Sequence, residues 1–327
     1  MTKATLCPIC ASSAQLLAAG VEDYYFRSPG SWDYLQCGDE HCGVAFPSPR
    51  PDAEALRQAY RTYYTHQGSD GSAAAIEMLA PLAQRLRNPV DDAGPGLPLL
   101  GWIAEQSIWD GSGALPAQRG ETIVDIGAGD GGRLSRLRRE GWEHAIGIEP
   151  DPSAVEMGQK QQIDLRLGTA EALPLADGSA AAAMLHHVIE HVDNPARAMA
   201  EAYRILRPGG KLLVVTPNIE SATRVEWGKY WRGFEAPRHL VIFTARALGK
   251  LARNAGFEVQ LVRTSGRSAA WMGQVSAGGA GKPAAHAAKL ARLFAADGQY
   301  RAQQLAIAKG REIGDEIILL ARRPLDR

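Results

Sequence analysis

The sequence predicts an α/β fold: a doubly wound, mainly parallel sheet of seven strands, with a cysteine-rich module in front of it and helical insertions around it. Three observations predict it. From about residue 121, short apolar runs alternate with helical stretches, the pattern of β-α-β units whose sheet is covered on both faces. The first of these runs passes directly into a glycine-rich turn, Gly127-Ala128-Gly129-Asp130-Gly131-Gly132, that opens a helix. All four cysteines of the 327-residue chain lie near its N-terminus, as two pairs.

The first pair is Cys7-Pro8-Ile9-Cys10, and after about 26 residues the second is Cys37-Gly38-Asp39-Glu40-His41-Cys42. Two thiolate pairs around a short β-rich segment have zinc-ribbon spacing. The wide second pair makes His41 a reserve ligand. In a chain that reads as cytoplasmic, disulfides are disfavoured. The expectation is therefore one structural zinc on Cys7, Cys10, Cys37 and Cys42, with no open position for catalysis. This module spans residues 1–51 and ends in the breaker-rich Phe46-Pro47-Ser48-Pro49-Arg50-Pro51.

Residues 52–120 read as a helical linker or insertion. A helix is expected over 52–64 with Asp52 at its N-cap, then helical pieces at 73–87 and 99–109 joined by Gly/Pro-rich connectors. The third unit, 121–327, carries strands expected at 122–127, 144–149, 164–167, 180–187, 211–216, 256–263 and 315–322. Its helices are expected at 131–140, 152–162, 195–206 and 244–255. Residues 266–312, with an amphipathic run at 284–296, interrupt the sheet before its last strand and read as a cap or as a peripheral helix.

Composition narrows the partners. Hydrophobic content of 45% and charged content of 22% are ordinary for a soluble globular chain. Lys plus Arg equals Asp plus Glu at 36 each, so charge gives no reason to expect nucleic acid or an anionic membrane. No apolar run spans a bilayer and no signal-peptide pattern opens the chain, so a cytoplasmic location is expected.

The glycine turn matches G-x-G-x-x-G through Gly127, Gly129 and Gly132, a pattern shared by dinucleotide sites. Asp125, on the strand before it, separates the possibilities. A carboxylate there repels a pyrophosphate but favours the ammonium and sulfonium of S-adenosylmethionine. At the end of the second strand, Glu149-Pro150-Asp151 places an acid about 20 residues after the loop, where it accepts hydrogen bonds from ribose hydroxyls. Asp151 also suits the N-cap of the next helix. After the third strand, the backbone at Ala170 and the Glu171 carboxylate are placed to meet an adenine edge, or form a solvated surface loop. The fourth strand runs into His186-His187-Val188-Ile189-Glu190-His191, at the end that faces the crevice in open α/β sheets. Strand alternation sends one of His186 and His187 toward the site and the other away. The histidines and Glu190 also permit a metal reading. Leu206-Arg207-Pro208-Gly209-Gly210-Lys211 reads as a tight turn into the fifth strand.

Together, VDIGAGDG, GIEPD, AEALP, LHHVIEH and LRPGGKLLVVTPN, in that order over residues 121–265, resemble the class I S-adenosylmethionine-dependent methyltransferases. The resemblance implies a Rossmann-like seven-stranded sheet whose last strand is antiparallel. It also implies cofactor contacts from Asp125, Gly127, Gly129, Glu149 and the Ala170–Glu171 loop, and Ala128, Pro150 and His186 are further candidates beside them. The two cysteine pairs, the VAFPSPRP stretch, Tyr63-Tyr64-Thr65-His66 and Pro237-Arg238-His239-Leu240-Val241-Ile242-Phe243-Thr244 resemble the zinc-containing branch related to sugar C-methyltransferases. The wide second cysteine pair and the long 67–120 segment depart from it.

Methylation of a hydroxyl, or of a carbon next to a ketone, requires a proton to leave, and histidine is the natural base near neutral pH. His239, beyond the fifth strand, is the first candidate, and His187 the second. Tyr63, Tyr64 and His66 are candidates to close the pocket as acid, base or clamp, or to pack the module on the core. Trp227, Tyr230, Trp231 and Phe234 suit either stacking on an acceptor or a hydrophobic lid. The leading expectation is methyl transfer to a small-molecule acceptor: a sugar nucleotide, glycan or natural-product scaffold. RNA or protein methylation with the zinc module as reader, and a non-catalytic cofactor-binding protein, are the alternatives.

Overall fold

The computed structural model of the chain describes residues 6–61, 120–139, 141–266, 268–281, 303, 306 and 309–326. The helices expected at 73–87, 99–109 and 284–296, together with Tyr63, Tyr64 and His66, lie outside the described residues.

The N-terminal part is a three-stranded antiparallel sheet of β1 (Ala14–Val21), β2 (Trp32–Cys37) and β3 (Ala45–Ser48). Helix α1 (Ala53–Tyr60) follows, and the Asp52 side chain accepts from the Ala55 N–H at its start.

The large sheet is built from β4 (Ile123–Ile126), α2 (Gly132–Arg139), β5 (Ala145–Glu149), α3 (Pro152–Lys160), β6 (Leu165–Leu167), β7 (Ala180–His186), α4 (Pro195–Ile205), β8 (Leu206–Pro217), α5 (Ala222–Trp227), α6 (Ala245–Asn254), β9 (Glu258–Ser265), α7 (Ala269–Gly279) and β10 (Glu316–Arg322). Strand order is β6-β5-β4-β7-β8-β10-β9. The pairs from β6 through β8 are parallel, and β10 lies between β8 and β9, antiparallel to both. The sheet is thus seven-stranded and mostly parallel.

Side-chain alternation explains why both faces are covered. Val124, Ile126, Leu212, Val214, Ile317 and Leu319 enter one core with Ala198, Met199 and Ala202 of α4 and Leu248 of α6. Their neighbours Ile123, Leu213, Val215 and Ile318 enter the other, with Leu134 and Leu137 of α2 and Val155 of α3. Helix starts follow local chemistry: Asp151, Asn194 and Thr244 each accept a backbone N–H at the first turn of α3, α4 and α6.

Two local expectations are corrected. Leu206–Gly210 is not a tight turn between elements, because β8 already begins at Leu206. Gly209 takes φ +77° and donates its N–H to Arg323 O, so the segment stays paired while it bends. His187 does not continue the alternation of β7 either. The strand ends at His186 and His187 takes φ +57°, which turns its ring toward its neighbour's, 4.8 Å away. Among the described residues, no helix is long and apolar enough to cross a membrane.

Candidate active site

At the carboxyl ends of β4 and β5, the glycine turn is held by two backbone bonds, Gly127 N to Ile148 O at 2.8 Å and Ala128 N to Ile148 O at 3.1 Å. The glycines serve different needs. At Gly127 (φ +73°), an added Cβ would fall 2.4 Å from Val188 Cγ2, so packing requires glycine there. At Gly129 (φ +56°), an added Cβ would meet nothing within 4 Å, so this part of the backbone is open to a ligand.

Glu149, 5% exposed, accepts from Gly129 N at 2.9 Å and from Asp151 N at 3.1 Å. Burial pushes its carboxyl above the usual range, against the two N–H donors. Asp125 is fully buried and held by Arg133, whose Nη1 donates to both carboxylate oxygens at 3.0 and 3.1 Å. Burial raises its carboxyl and Arg133 opposes the shift. Ala170 is buried and Pro150 exposed. One Glu171 oxygen accepts from Asn194 N at 2.9 Å, and Arg197 donates to the Glu171 carbonyl at 2.7 Å.

A second cluster forms beyond β7 and β8. His187 Nδ1 lies 3.2 Å from Glu190 Oε1, and its Nε2 lies 2.9 Å from Glu316 Oε1. Burial alone would lower this imidazole, but the two carboxylates outweigh it and hold the ring up at about 9. Glu190 is fully buried and also accepts from Thr216 Oγ1 at 2.9 Å. His191 packs edge-on against His239, centroids 4.6 Å apart. Glu190, His191 and His239 offer atoms within 4.8 Å of one another. Nδ1 of His191 faces Arg238 O at 3.2 Å and Tyr60 Oη at 3.1 Å.

His239 is 3% exposed and its Nδ1 lies 2.8 Å from Gly233 O. A carbonyl accepts only, so Nδ1 carries the proton and Nε2 the lone pair. Burial lowers the ring to about 4, against the pull of Glu235, whose Oε2 is 3.5 Å from Nε2.

Several participants escaped the sequence reading: Tyr60, Glu235, Arg238 and Asp23. Arg238 is fully buried. Its Nη1 donates to Ser28 Oγ and Ala59 O, both at 2.9 Å, its Nη2 to Asp23 Oδ2 at 2.6 Å, and its Nε to Glu235 Oε1 at 3.2 Å. Tyr34 of β2 donates toward the carbonyls of Phe234 and His239 at 3.0 and 3.2 Å. The Glu235-x-x-Arg238-His239 spacing was the available signal.

The cysteines meet at the other end of the N-terminal sheet. Cys7 and Cys42 sulfurs are 3.8 Å apart, Cys10 and Cys37 3.4 Å, and all four lie within 4.8 Å of one another with no disulfide. Tetrahedral thiolates at a Zn–S distance of about 2.3 Å have their sulfurs roughly 3.8 Å apart, so the donor set fits a zinc ion. The module is tied to the segment leading into α6 through reciprocal Ala45–Ile242 backbone bonds and through Thr244 Oγ1 donating to Cys42 O at 2.8 Å.

Residues 108–262 match the family model described as a methyltransferase domain. A probable S-adenosylmethionine-dependent methyltransferase of Mycolicibacterium smegmatis is 31% identical over 184 residues, which cover 52% of this chain and 69% of that protein. The chain belongs to the S-adenosylmethionine-dependent methyltransferases. An uncharacterised 37.1 kDa protein from a Streptomyces fradiae transposon is 34% identical over 162 residues, 46% of this methyltransferase and 47% of that chain. A ubiquinone/menaquinone biosynthesis C-methyltransferase of Roseobacter denitrificans is 34% identical over 110 residues, 31% and 44% of the two chains. Apart from the Mycolicibacterium protein, the methyltransferase spans about half or less of the length of these relatives.

Proposed function

We propose that the protein transfers a methyl group from S-adenosylmethionine to a small-molecule acceptor (a sugar nucleotide, glycan or natural-product scaffold) at carbon or oxygen, with His239 as general base. The observation that carries this reading is the pairing of two features at one end of the sheet. One is the open backbone at Gly129 with the Glu149 carboxylate bonded to it, and the other is a buried neutral imidazole beyond β8.

Asp125, Gly127, Ala128, Gly129 and Glu149 would hold the cofactor, with Pro150, Ala170, Glu171 and His186 at its periphery. When bound, the cofactor supplies an electrophilic methyl group. His239 takes the acceptor's proton on Nε2 while Nδ1–H stays on Gly233 O. His187, held cationic between Glu190 and Glu316, does not take it at neutral pH. Tyr63, Tyr64 and His66 are proposed as acid, base or clamp for the acceptor. Zinc on the four cysteines would be structural. Neutral overall charge favours this reading over RNA methylation.

Screening acceptors with a labelled methyl donor tests the reading, with His239→Ala as the diagnostic variant. Turnover should fall about 10²–10⁴-fold with S-adenosylhomocysteine affinity nearly intact. Normal turnover in His239→Ala would remove the base from this residue.

A further inference from the structure

A cavity of about 380 Å³ opens where three distant parts of the chain meet: the turn after β1, the short 3₁₀ turns of Gly228–Tyr230 and Arg232–Phe234, and α7. We propose that it is the acceptor subsite and that it takes a neutral, hydroxyl-bearing ring, a pyranose or a hydroxyaryl group. This rests on the methyl-transfer reading.

Shape comes first. The volume suits one ring with substituents, at the lower end of the range for small-molecule sites. Two ring faces, Tyr24 and Tyr230, stand 5.1 Å apart at one wall, and Trp271 of α7 stands exposed at the other. Exposed aromatic faces at the mouth of a cavity suit stacking on the C–H face of a sugar or on an aryl ring. The last turn of α7 keeps the cavity clear. A Cβ at Gly278 would project into open space, while one at Gly279 would come within 3.1 Å of Tyr24 Cβ.

Charge sets the ligand's character. The Arg232 guanidinium lies 5.0 Å from the Tyr25 ring centre and 5.6 Å from that of Trp271, and it bonds Glu235 at 2.5 Å. Asp23 is likewise matched by Arg238. The charged floor is internally neutralised, and the Glu22 carboxylate adds a negative group to the lining. A phosphate or carboxylate is therefore disfavoured, whereas hydroxyls find acceptors and donors in Glu22 and Gln274.

Position links the cavity to the chemistry. Glu235 lines it and stands 3.5 Å from His239 Nε2, so the proposed base lies one side chain beyond the floor. A second hollow, sharing Glu22–Tyr24 and Gly278–Gly279, continues along the turn to Ser31 and gives the rest of a longer acceptor a path outward.

The test uses two neutral probes, methyl β-D-glucopyranoside and methyl 3,4-dihydroxybenzoate, titrated by ligand-observed NMR against the full chain loaded with S-adenosylhomocysteine. One of the two should bind. Gly278→Leu, which adds bulk to the lining at a position where a Cβ meets no protein atom within 4 Å, and Trp271→Ala, which removes a wall, should each weaken that binding about tenfold. S-adenosylhomocysteine affinity, measured by calorimetry, should stay within about twofold, since neither residue touches the glycine turn. Binding by neither probe, or unchanged binding in Gly278→Leu, overturns the subsite. Loss of S-adenosylhomocysteine binding by the unmodified chain would instead overturn the methyl-transfer reading.

Discussion

His187 and His239 show how neighbours set one residue type to opposite tasks. Both rings lose hydration. His187 faces two carboxylates and is held up at about 9, while His239 faces a carbonyl and a carboxylate already matched by two arginines and falls to about 4. A histidine raised on folding stabilises fully below its unfolded value of about 6.5, and that stabilisation is lost as pH rises through the folded value. Thermal denaturation between pH 6 and 10 should therefore show stability falling toward pH 9, and His187→Gln should flatten that part of the profile. An identical slope in the variant would assign the pH dependence to other groups. For His239 the direction is opposite. Its lone pair is available above pH about 4, so the acid limb of kcat/KM should lie well below the usual histidine range, with activity retained at about pH 5.5. At Glu149, replacement by Ala removes the acceptor proposed for ribose hydroxyls and leaves Gly129 N–H without its partner. Calorimetry should show S-adenosylhomocysteine affinity reduced at least about tenfold, the loss of one or two charge-assisted hydrogen bonds.

Between β4 and α2, the turn makes a conformational demand that differs from glycine to glycine. Gly127→Ala adds about 1–2 kcal/mol for a left-handed backbone and a further 1–3 kcal/mol for the collision with Val188. Gly129→Ala carries the backbone cost alone. Denaturant titration should rank Gly127→Ala as clearly the less stable, and equal midpoints would contradict the packing argument. The same contrast explains what was legible in the sequence. Strands β4, β5 and β7 and helices α2, α3, α4 and α6 of the large sheet stand within a few residues of the expected bounds, because buried parallel strands read as continuous apolar runs and helix starts carry Asp, Asn or Thr caps. The early start of β8 was hidden because Pro208, Gly209 and Gly210 are turn residues in isolation, and bonds from Gly209 N to Arg323 O and from Arg323 N to Gly210 O, over a hundred positions away, keep them paired. The turn of His187 was hidden for the same reason, since Glu316 comes from the last strand. Glycine and acid positions on neighbouring strand ends were readable as motifs. The Asp23–Arg238–Glu235 chain was not, because Asp23 lies over two hundred residues from Arg238 and Glu235.

Across the whole molecule, the N-terminal module and the large sheet share one core, with Cys7, Cys37 and Cys42 in the same buried cluster as Val241 and Phe243. A further tie is ionic. Arg238, fully buried, has its guanidinium held by Asp23, Ser28 and Ala59 from the N-terminal side and sits next to His239 in the chain. Breaking one partner of a buried pair costs about 3–5 kcal/mol because the other charge is left uncompensated. Asp23→Ala should therefore lower global stability by roughly that amount. Metal removal acts on the same tie from further away. If zinc holds Cys7, Cys10, Cys37 and Cys42, its binding free energy is folding free energy for the module, and chelation releases β1–β3. Tyr34 then leaves the carbonyls of Phe234 and His239, and Asp23 leaves Arg238, so the residues around the proposed base lose their supports. The residues proposed to hold the cofactor, Asp125, Gly129 and Glu149, lie on β4, the turn between β4 and α2, and β5, with Asp125 bonded to Arg133 and Gly129 to Glu149. Chelator-treated protein should thus lose acceptor turnover and several degrees of melting temperature while still binding S-adenosylhomocysteine within a few-fold of the untreated protein, with zinc addition restoring turnover. Equal loss of both activities would show that the module supports the whole sheet, and loss of neither would remove the metal from the four cysteines.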